Sequence, residues 1–362
     1  MRVLICGGGV IGACTAYFLR LRQVEVIVVE RTGVACAASG KSGGFLALDW
    51  CDGTPLGRLA RRSFALHAEL ATTLDGSHWG YRRLDTWSVL AGAGRGFGGG
   101  RAVFGPAWLG ESALVQGKLG TQATTAQVHP ARFTEAMVHA AIGMGAELRL
   151  GCVTDVVLDA GHTKALGVKV DGAMLEADNI VIAMGPWSRT ACRWLPLPAV
   201  HGLKGNSVVY QSGSRISADA LFVELTTTNG AAHTPEVFPR ADGTTYVCGL
   251  SSQQTLPNDP ADVLPDPGAE EALQSMTRLF APGLADTPIL TTQACYRPVS
   301  QDGLPLLGPV PGVANAFVAT GHSVWGILNA PASGEAIAEL IVDGATRHVD
   351  LRRFDPARLP AR

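Results

Sequence analysis

Arg2-Val3-Leu4-Ile5-Cys6 runs into Gly7-Gly8-Gly9-Val10-Ile11-Gly12, and this stretch decides the fold class. A second apolar strand, Val24 to Val29, follows and ends on Glu30. The glycines fit G-x-G-x-x-G at Gly7, Gly9 and Gly12. Gly7 permits a tight turn, Gly9 lets backbone approach a pyrophosphate, and Gly12 lets a helix pack on the sheet. The pyrophosphate would rest on the N–H groups and positive dipole end of a helix starting near Val10. Glu30, at the tip of the second strand, is positioned to accept hydrogen bonds from an adenosine ribose. The competing interpretation is an ordinary strand–helix turn. Strand, glycines, helix, strand and acid in this order favour a dinucleotide, without naming which one.

The chain has 362 residues, too many for one small core and suited to two domains. A net charge of −2 and the lack of a long Lys/Arg run argue against a nucleic-acid partner. Val3 to Leu19 carries no charge, but its glycines suit strand–turn–helix rather than a signal peptide or membrane span. No transmembrane segment is expected. The eight cysteines form no C-x-x-C and no Cys/His cluster with metal-ligand spacing, so no metal is expected. Reduced thiols make a cytoplasmic location the default.

Helical periodicity runs from Gly9 to about Leu21 and returns at Arg58 to Leu74. From Tyr81 to Gln127 short strands such as Thr86 to Leu90 alternate with glycine-rich turns, including a loop beginning at Gly92. Pro130 opens a helix reaching about Met144. A strand at Glu147–Leu150, a hairpin from Val153 to Val170 and a strand at Asn179–Ala183 follow. Between His201 and Ser251 the strands look antiparallel, clearest at Ser207–Tyr210, Leu221–Leu225 and Thr245–Leu250. A helix at about Gly268–Phe280, strands at Ile289–Tyr296 and Ala316–Ala319, and a closing helix at Ala332–Val342 complete the reading. The fold class is α/β, with a Rossmann-like nucleotide domain interleaved with a substrate domain based on an antiparallel β-sheet. The expected nucleotide domain comprises residues 1–80, 128–200 and 290–362, and the substrate domain 81–127 and 201–289.

Three further stretches extend the pattern. One is Glu30-Arg31 with Ser39-Gly40-Lys41-Ser42-Gly43-Gly44; another is Ala183-Met184-Gly185-Pro186-Trp187. The third runs from Tyr296-Arg297-Pro298 through Gly308 and on to Gly321-His322-Ser323-Val324-Trp325-Gly326-Ile327. Together they resemble the FAD-dependent D-amino acid oxidase superfamily, which includes glycine oxidase and sarcosine oxidase. The resemblance covers nearly the whole chain in the family's order and implies FAD. It implies that Ser39 to Gly44 surround phosphate or ribitol oxygens, that the strand starting at Val153 pairs with adenine, and that Ala183, Gly185 and Trp187 pack on the dinucleotide. Gly321 to Gly326, with Ile327, would bring a helix N-terminus to the flavin and stabilise negative charge on the reduced ring. His322 is assigned no acid–base work. Some relatives bond the flavin to a histidine after the glycine pair or to a C-terminal cysteine. Here Phe45 and Leu46 follow Gly44 and no cysteine follows Cys295, so FAD is expected to be noncovalent.

Arg297 aligns with the arginine that grips the substrate carboxylate in glycine-oxidase-like relatives; a guanidinium can make two parallel bonds to it. The alternative is a structural arginine paired with an acid such as Asp302. Glycine oxidase has a second arginine in the segment matching His322 to Gly326, where this chain has Val324 and Trp325, which leaves room for a bulkier or less charged amine. The resemblance implies oxidation of an amine or amino acid by hydride transfer from its α-carbon to flavin N5. Imine hydrolysis and reoxidation by oxygen to hydrogen peroxide would follow. A dehydrogenase passing electrons to a quinone or protein stays open, as do a flavin-binding regulatory protein and a nicotinamide dehydrogenase. Tyr246, His233 and Lys204 lie in or near the expected antiparallel sheet without an assigned role.

Overall fold

A computed structural model of the chain describes residues 1–92 and 105–361. The glycine-rich run read as a loop falls, from residue 93 onward, outside the described residues.

Arg2–Cys6 lies inside a six-stranded sheet, hydrogen-bonded in parallel to Glu25–Glu30 on one side and Asn179–Ile182 on the other. Glu147–Leu150 extends the first side, and Ala316–Thr320 with the antiparallel edge strand Leu306–Pro309 extends the other. Strand alternation divides the apolar run between two cores. Val3, Ile5, Val26 and Val28 face the helices Val10–Leu21, Pro130–Gly143 and Gly326–Asp343. Leu4, Cys6, Ile27 and Val29 face a small three-stranded sheet, Val153–Leu158, Ala165–Val170 and Ala173–Glu176. Burial on both faces explains why the strand reads as continuously apolar rather than alternating. Each aliphatic side chain so buried contributes roughly 1.5–3 kcal/mol. The chain leaves Arg2–Cys6 toward one side and fills the other later. The strand order therefore reverses at Gly7, where open α/β sheets bind ligands.

The second large sheet runs Ile289–Ser300, Val200–Gln211, Thr244–Ser252, Glu236–Pro239, Asp219–Thr226, Asp85–Gly92, Ala113–Gly120, with Ala232–His233 added beside Asp219–Thr226. Its neighbours are antiparallel except Asp219–Thr226 with Asp85–Gly92, which are parallel. One face packs on the helix Ala269–Phe280 through Leu273, Met276 and Phe280. The opposite face carries Tyr246, Phe238 and Phe222. Ile289–Ser300, grouped by sequence with the nucleotide domain, is bonded along its length to Val200–Gln211 in this second sheet.

The closing helix differs most from the sequence reading. It spans Gly326–Asp343 rather than starting at Ala332, and Pro331 lies inside it. Proline removes the N–H that would bond the carbonyl four residues earlier, Ile327. His67 Nε2 stands 3.0 Å from that oxygen, and Ala332 N–H donates to Ser63 Oγ at 3.0 Å. Ser63 and His67, one turn apart on the helix Gly57–Thr73, thus complete a ladder that proline interrupts. Both are fully buried.

Ser63→Ala should cost about 1 kcal/mol and His67→Ala about 2–3 kcal/mol in denaturant unfolding, because each leaves a buried backbone group unsatisfied. Pro331→Ala restores the missing donor, so combining it with His67→Ala should destabilise less than the two single changes added together. Strict additivity would remove His67 from this role.

Candidate functional site

The turn after the first strand is fixed by backbone packing. Gly7 has φ +118°, and a Cβ there would overlap the Ala183 carbonyl. A Cβ at Gly12 would overlap the Gly7 carbonyl, so Gly12 serves the helix–strand crossing rather than the cavity wall. Gly9 does face the cavity, where a Cβ would come within 3.1 Å of Ser39 Oγ and fill the cradle at the helix N-terminus. Val10 N–H donates to Ser39 Oγ at 2.9 Å. Glu30 is buried at the next strand tip. Its Oε2 accepts from Gly8 N–H at 2.6 Å and its Oε1 from Thr32 N–H at 2.9 Å. With a longer bond from Gly33 N–H at 3.4 Å, three backbone donors hold the carboxylate at the cavity edge.

A cavity of about 400 Å³ starts at this turn and continues to the second sheet. Gly7, Gly9, Val10, Ile11, Glu30 and Arg31 line its first end. The Arg31 guanidinium is engaged outward, donating to Asn258 O at 2.7 Å and pairing with Asp259 at 3.1 Å. Ser39, Ser42 and Gly43 line one flank, while Val153, Ala183, Gly185 and Trp187 line another. Trp187 Nε1 donates to Pro257 O at 2.8 Å, tying the loop after Thr244–Ser252 over this flank.

Gly40, Lys41 and Gly44 do not reach the cavity wall. A Cβ on Gly40 would overlap the Ala35 carbonyl, and one on Gly44, at φ +79°, would overlap the Val128 carbonyl. Lys41 contributes its carbonyl to Gln293 Nε2 at 3.3 Å. The segment is clamped from the second sheet. Arg240 Nη2 donates to Ser42 O at 3.0 Å, and the Phe238 ring fills the space a Gly43 side chain would take. Sequence reasoning missed both residues, because nothing local marks a contact formed across almost two hundred positions.

At the far end His322, Val324, Gly326 and Ile327 line the cavity, so the N-terminus of the closing helix meets it. Gly321, at φ +81°, turns the chain out of Ala316–Thr320, and Trp325 packs edge-on against Trp50; neither lines the wall. His322 is buried with Nε2 2.9 Å from Ser333 Oγ, and burial lowers its pKa to about 3. It is therefore neutral near pH 7 and carries no exchangeable charge there.

The second sheet supplies the remaining wall. Arg297 Nη2 donates to Ser251 Oγ at 2.5 Å, and its buried Nε has no partner. Asp302 is not its partner: that carboxylate is forked by Arg358 at 2.7 and 2.9 Å, which holds its pKa down at about 2. Tyr246 lines the cavity. Lys204 does not; its ammonium bonds Asp266 and Gln254. His233 sits on the short added strand opposite Leu225. Asn206, Glu236, Cys248 and Ser251 line this end and were not picked out from sequence. Their only available signal was their alternation on strands sharing a face. Away from the cavity, Glu335, Glu339 and His348 come together, but Arg62 forks Glu335 at 2.6 and 2.8 Å and Arg347 N–H binds Glu339 at 2.7 Å.

These features suit an extended anionic dinucleotide. Glycine backbone and a helix N-terminus would suit the phosphates, the Glu30 carboxylate a ribose, and a second helix N-terminus a ring that becomes anionic on reduction. Comparison with known proteins agrees. A family model described as FAD dependent oxidoreductase matches residues 2–340. An oxidoreductase of Schizosaccharomyces pombe is 30% identical, covering 98% of this chain and 97% of its own. Glycine oxidase of Pseudomonas putida is 26% identical over 98% of both chains. The crystal structure of glycine oxidase from Geobacillus kaustophilus superposes with a TM-score of 0.81 at 24% identity, covering 99% of each chain. Among the described residues, no helix is long and apolar enough to cross a membrane.

Burial lowers His67 to about 4 and His322 to about 3, from 6.5. Folded protein refuses these protons while unfolded chain accepts them below pH 6.5. The associated stability is complete above pH 6.5 and is lost as pH falls toward 4 and 3. Each histidine should add up to about 1.4 kcal/mol per pH unit to the acid slope of unfolding free energy. Replacing His67 by Gln, which retains a donor for Ile327, should reduce that slope by one proton between pH 6 and 4.5. An unchanged slope would contradict it.

Proposed function

We propose that this chain, which belongs to the FAD-dependent oxidoreductase family and uses FAD, oxidises the C–N bond of an amine or amino acid. Bound FAD supplies the hydride acceptor for the substrate's α-carbon. The observation that carries the reading is Arg297, a guanidinium on the cavity wall with a buried, unpartnered Nε and no carboxylate bonded to it among the described residues. A guanidinium whose buried Nε lacks a partner is costly unless a ligand anion completes it. A substrate carboxylate on Arg297 fixes the α-carbon relative to the ring, and orientation of that kind supplies much of the rate. The helix N-terminus at Gly326 favours negative charge on the reduced ring.

The imine product leaves to be hydrolysed by water, and oxygen is the proposed electron acceptor, giving hydrogen peroxide. FAD is proposed to be noncovalent. Phe45 beside Gly44 is held in an aromatic cluster with Phe238 and Trp50. Burial raises the pKa of Cys295, keeping it a poor nucleophile. Val324 lines the cavity and provides no second cation, so an amino acid larger than glycine is the preferred substrate. Lack of a membrane-crossing helix among the described residues and reduced cysteines support a cytoplasmic location.

Anaerobic bleaching of the flavin across glycine, N-methylated, D- and L-amino acids tests the proposal, and peroxide release on admitting air tests the acceptor. Bleaching without peroxide would move the protein to the dehydrogenases. Arg297→Ala should raise the KM for a carboxylated substrate roughly 10–150-fold, the range expected for losing a charged hydrogen bond. Unchanged KM would remove Arg297 from the site.

A further inference from the structure

Two ionic side chains occupy the sheet-side wall of the cavity, and neither has a counter-ion bonded to it among the described residues. Arg297 projects from Ile289–Ser300 and lies over Gly205, whose ideal Cβ position is 3.6 Å from Nη2 and 3.9 Å from Cζ. The missing side chain at Gly205 lets the guanidinium cross Val200–Gln211 and reach Ser251 on Thr244–Ser252. Glu236 stands on the next strand, opposite Cys248. The Cys248 thiol donates to Glu236 Oε2 at 3.8 Å, the one hydrogen bond to this carboxylate among the described residues, and Glu236 lines the cavity. Cation and anion therefore converge from opposite directions across the sheet, in one cavity and without bonding each other. Adjacent strands lie about 4.8 Å apart, so the gap between them is on the scale of a small ligand.

We infer that Arg297 and Glu236 form a receptor for a zwitterionic amino acid, Arg297 taking its carboxylate and Glu236 accepting a proton from its ammonium group. This rests on reading the cavity as an amine-oxidising site. The ammonium N–H bond breaks, an O–H bond forms on Glu236, and the electron pair stays on nitrogen. The amine is then neutral, the state from which an α-carbon can release hydride. Loss of hydride leaves an iminium cation, and its hydrolysis by water releases ammonium or an alkylammonium directly. Glu236 regains its carboxylate by giving its proton to water, which balances the proton taken up when oxygen is reduced to hydrogen peroxide.

The surroundings suit a base. Burial raises the Glu236 pKa, with Arg297 and the Cys248 thiol opposing the rise. The Cys248 thiol is itself held protonated by burial, as is the Tyr246 hydroxyl on the same strand. Cys295 beside Arg297 is also raised. His322 across the cavity is neutral. Phe222 is the cross-strand neighbour on the other side, with exposed Glu224 beyond it. Arg297 is thus the cation whose field opposes the rise at Glu236.

Glu236→Gln holoenzyme tests the inference through the pH dependence of anaerobic flavin bleaching by an α-amino acid that reduces the wild type. Without its acceptor the variant must wait for free amine, so its rate should fall about tenfold per pH unit below the amine pKa and approach wild type near pH 10. Glu236→Asp should restore part of the wild-type profile. Acetate, read by its shift of the flavin spectrum, should bind Glu236→Gln about 5-fold or more tighter than wild type, because a repelling anion has gone. That readout also establishes that the variant is folded. A wild-type pH profile in Glu236→Gln would overturn the inference, as would a defect confined to substrates with cationic side chains or unchanged acetate affinity. A wild type bleached by no amine would instead defeat the amine-oxidising reading, while the acetate comparison would still report the field of Glu236.

Discussion

At Gly7 three backbone segments meet more closely than any side chain allows. The strand end lies against the Ala183 carbonyl, and Gly12 of the following helix lies against the Gly7 carbonyl. These contacts set the angle at which Val10–Leu21 leaves the sheet and seat its first N–H groups at the strand-order reversal. Everything that follows along the cavity is measured from this point. Asn179–Ile182 must end beside it, Glu30 must turn its carboxylate back to Gly8 N–H, and Ser39 must reach Val10.

The opposite end of the cavity depends on a second helix N-terminus that sequence periodicity alone hides. The sequence reading starts this helix at Ala332, yet it begins at Gly326, with Ser63 and His67 satisfying the groups around Pro331. A donor from a neighbouring helix cannot be read from the sequence around Pro331. In exchange for the disturbed ladder, the first turn of the helix lies on the cavity with Ile327 and Gly326 facing it. The buried His67 thus supports the first turn of the helix that borders the cavity.

What was legible in the sequence was local. Gly7, Gly9, Gly12 and Glu30 declare themselves by spacing after an apolar strand, and the structure brings three of the four to the cavity while giving Gly12 to packing. Arg297 could be singled out only through resemblance, since a lone arginine near Asp302 also suits an ion pair; Arg358 occupies that aspartate instead. Glu236, Arg240 and Phe238 were invisible for a different reason. They act through the register of the second sheet, where Glu236 meets Cys248 and Arg240 reaches Ser42, and register across distant strands is not written in either strand alone. Lys204 had the opposite fate, a conspicuous lysine committed to Asp266 and Gln254.

The distribution of charge separates scaffold from site. Arg62 with Glu335, Arg358 with Asp302 and Lys204 with Asp266 are completed within the chain. Arg297 and Glu236 share a cavity and remain incomplete, although pairing them directly would relieve both desolvation costs. Gly205 holds the guanidinium over the neighbouring strand toward Ser251, and the Cys248 thiol occupies one oxygen of the carboxylate, so the sheet itself keeps the two apart. A ligand bearing both charges recovers what the fold leaves unsatisfied. One bearing only a carboxylate gains Arg297 but faces Glu236, which is how this wall would discriminate an amino acid from a simple acid of the same size.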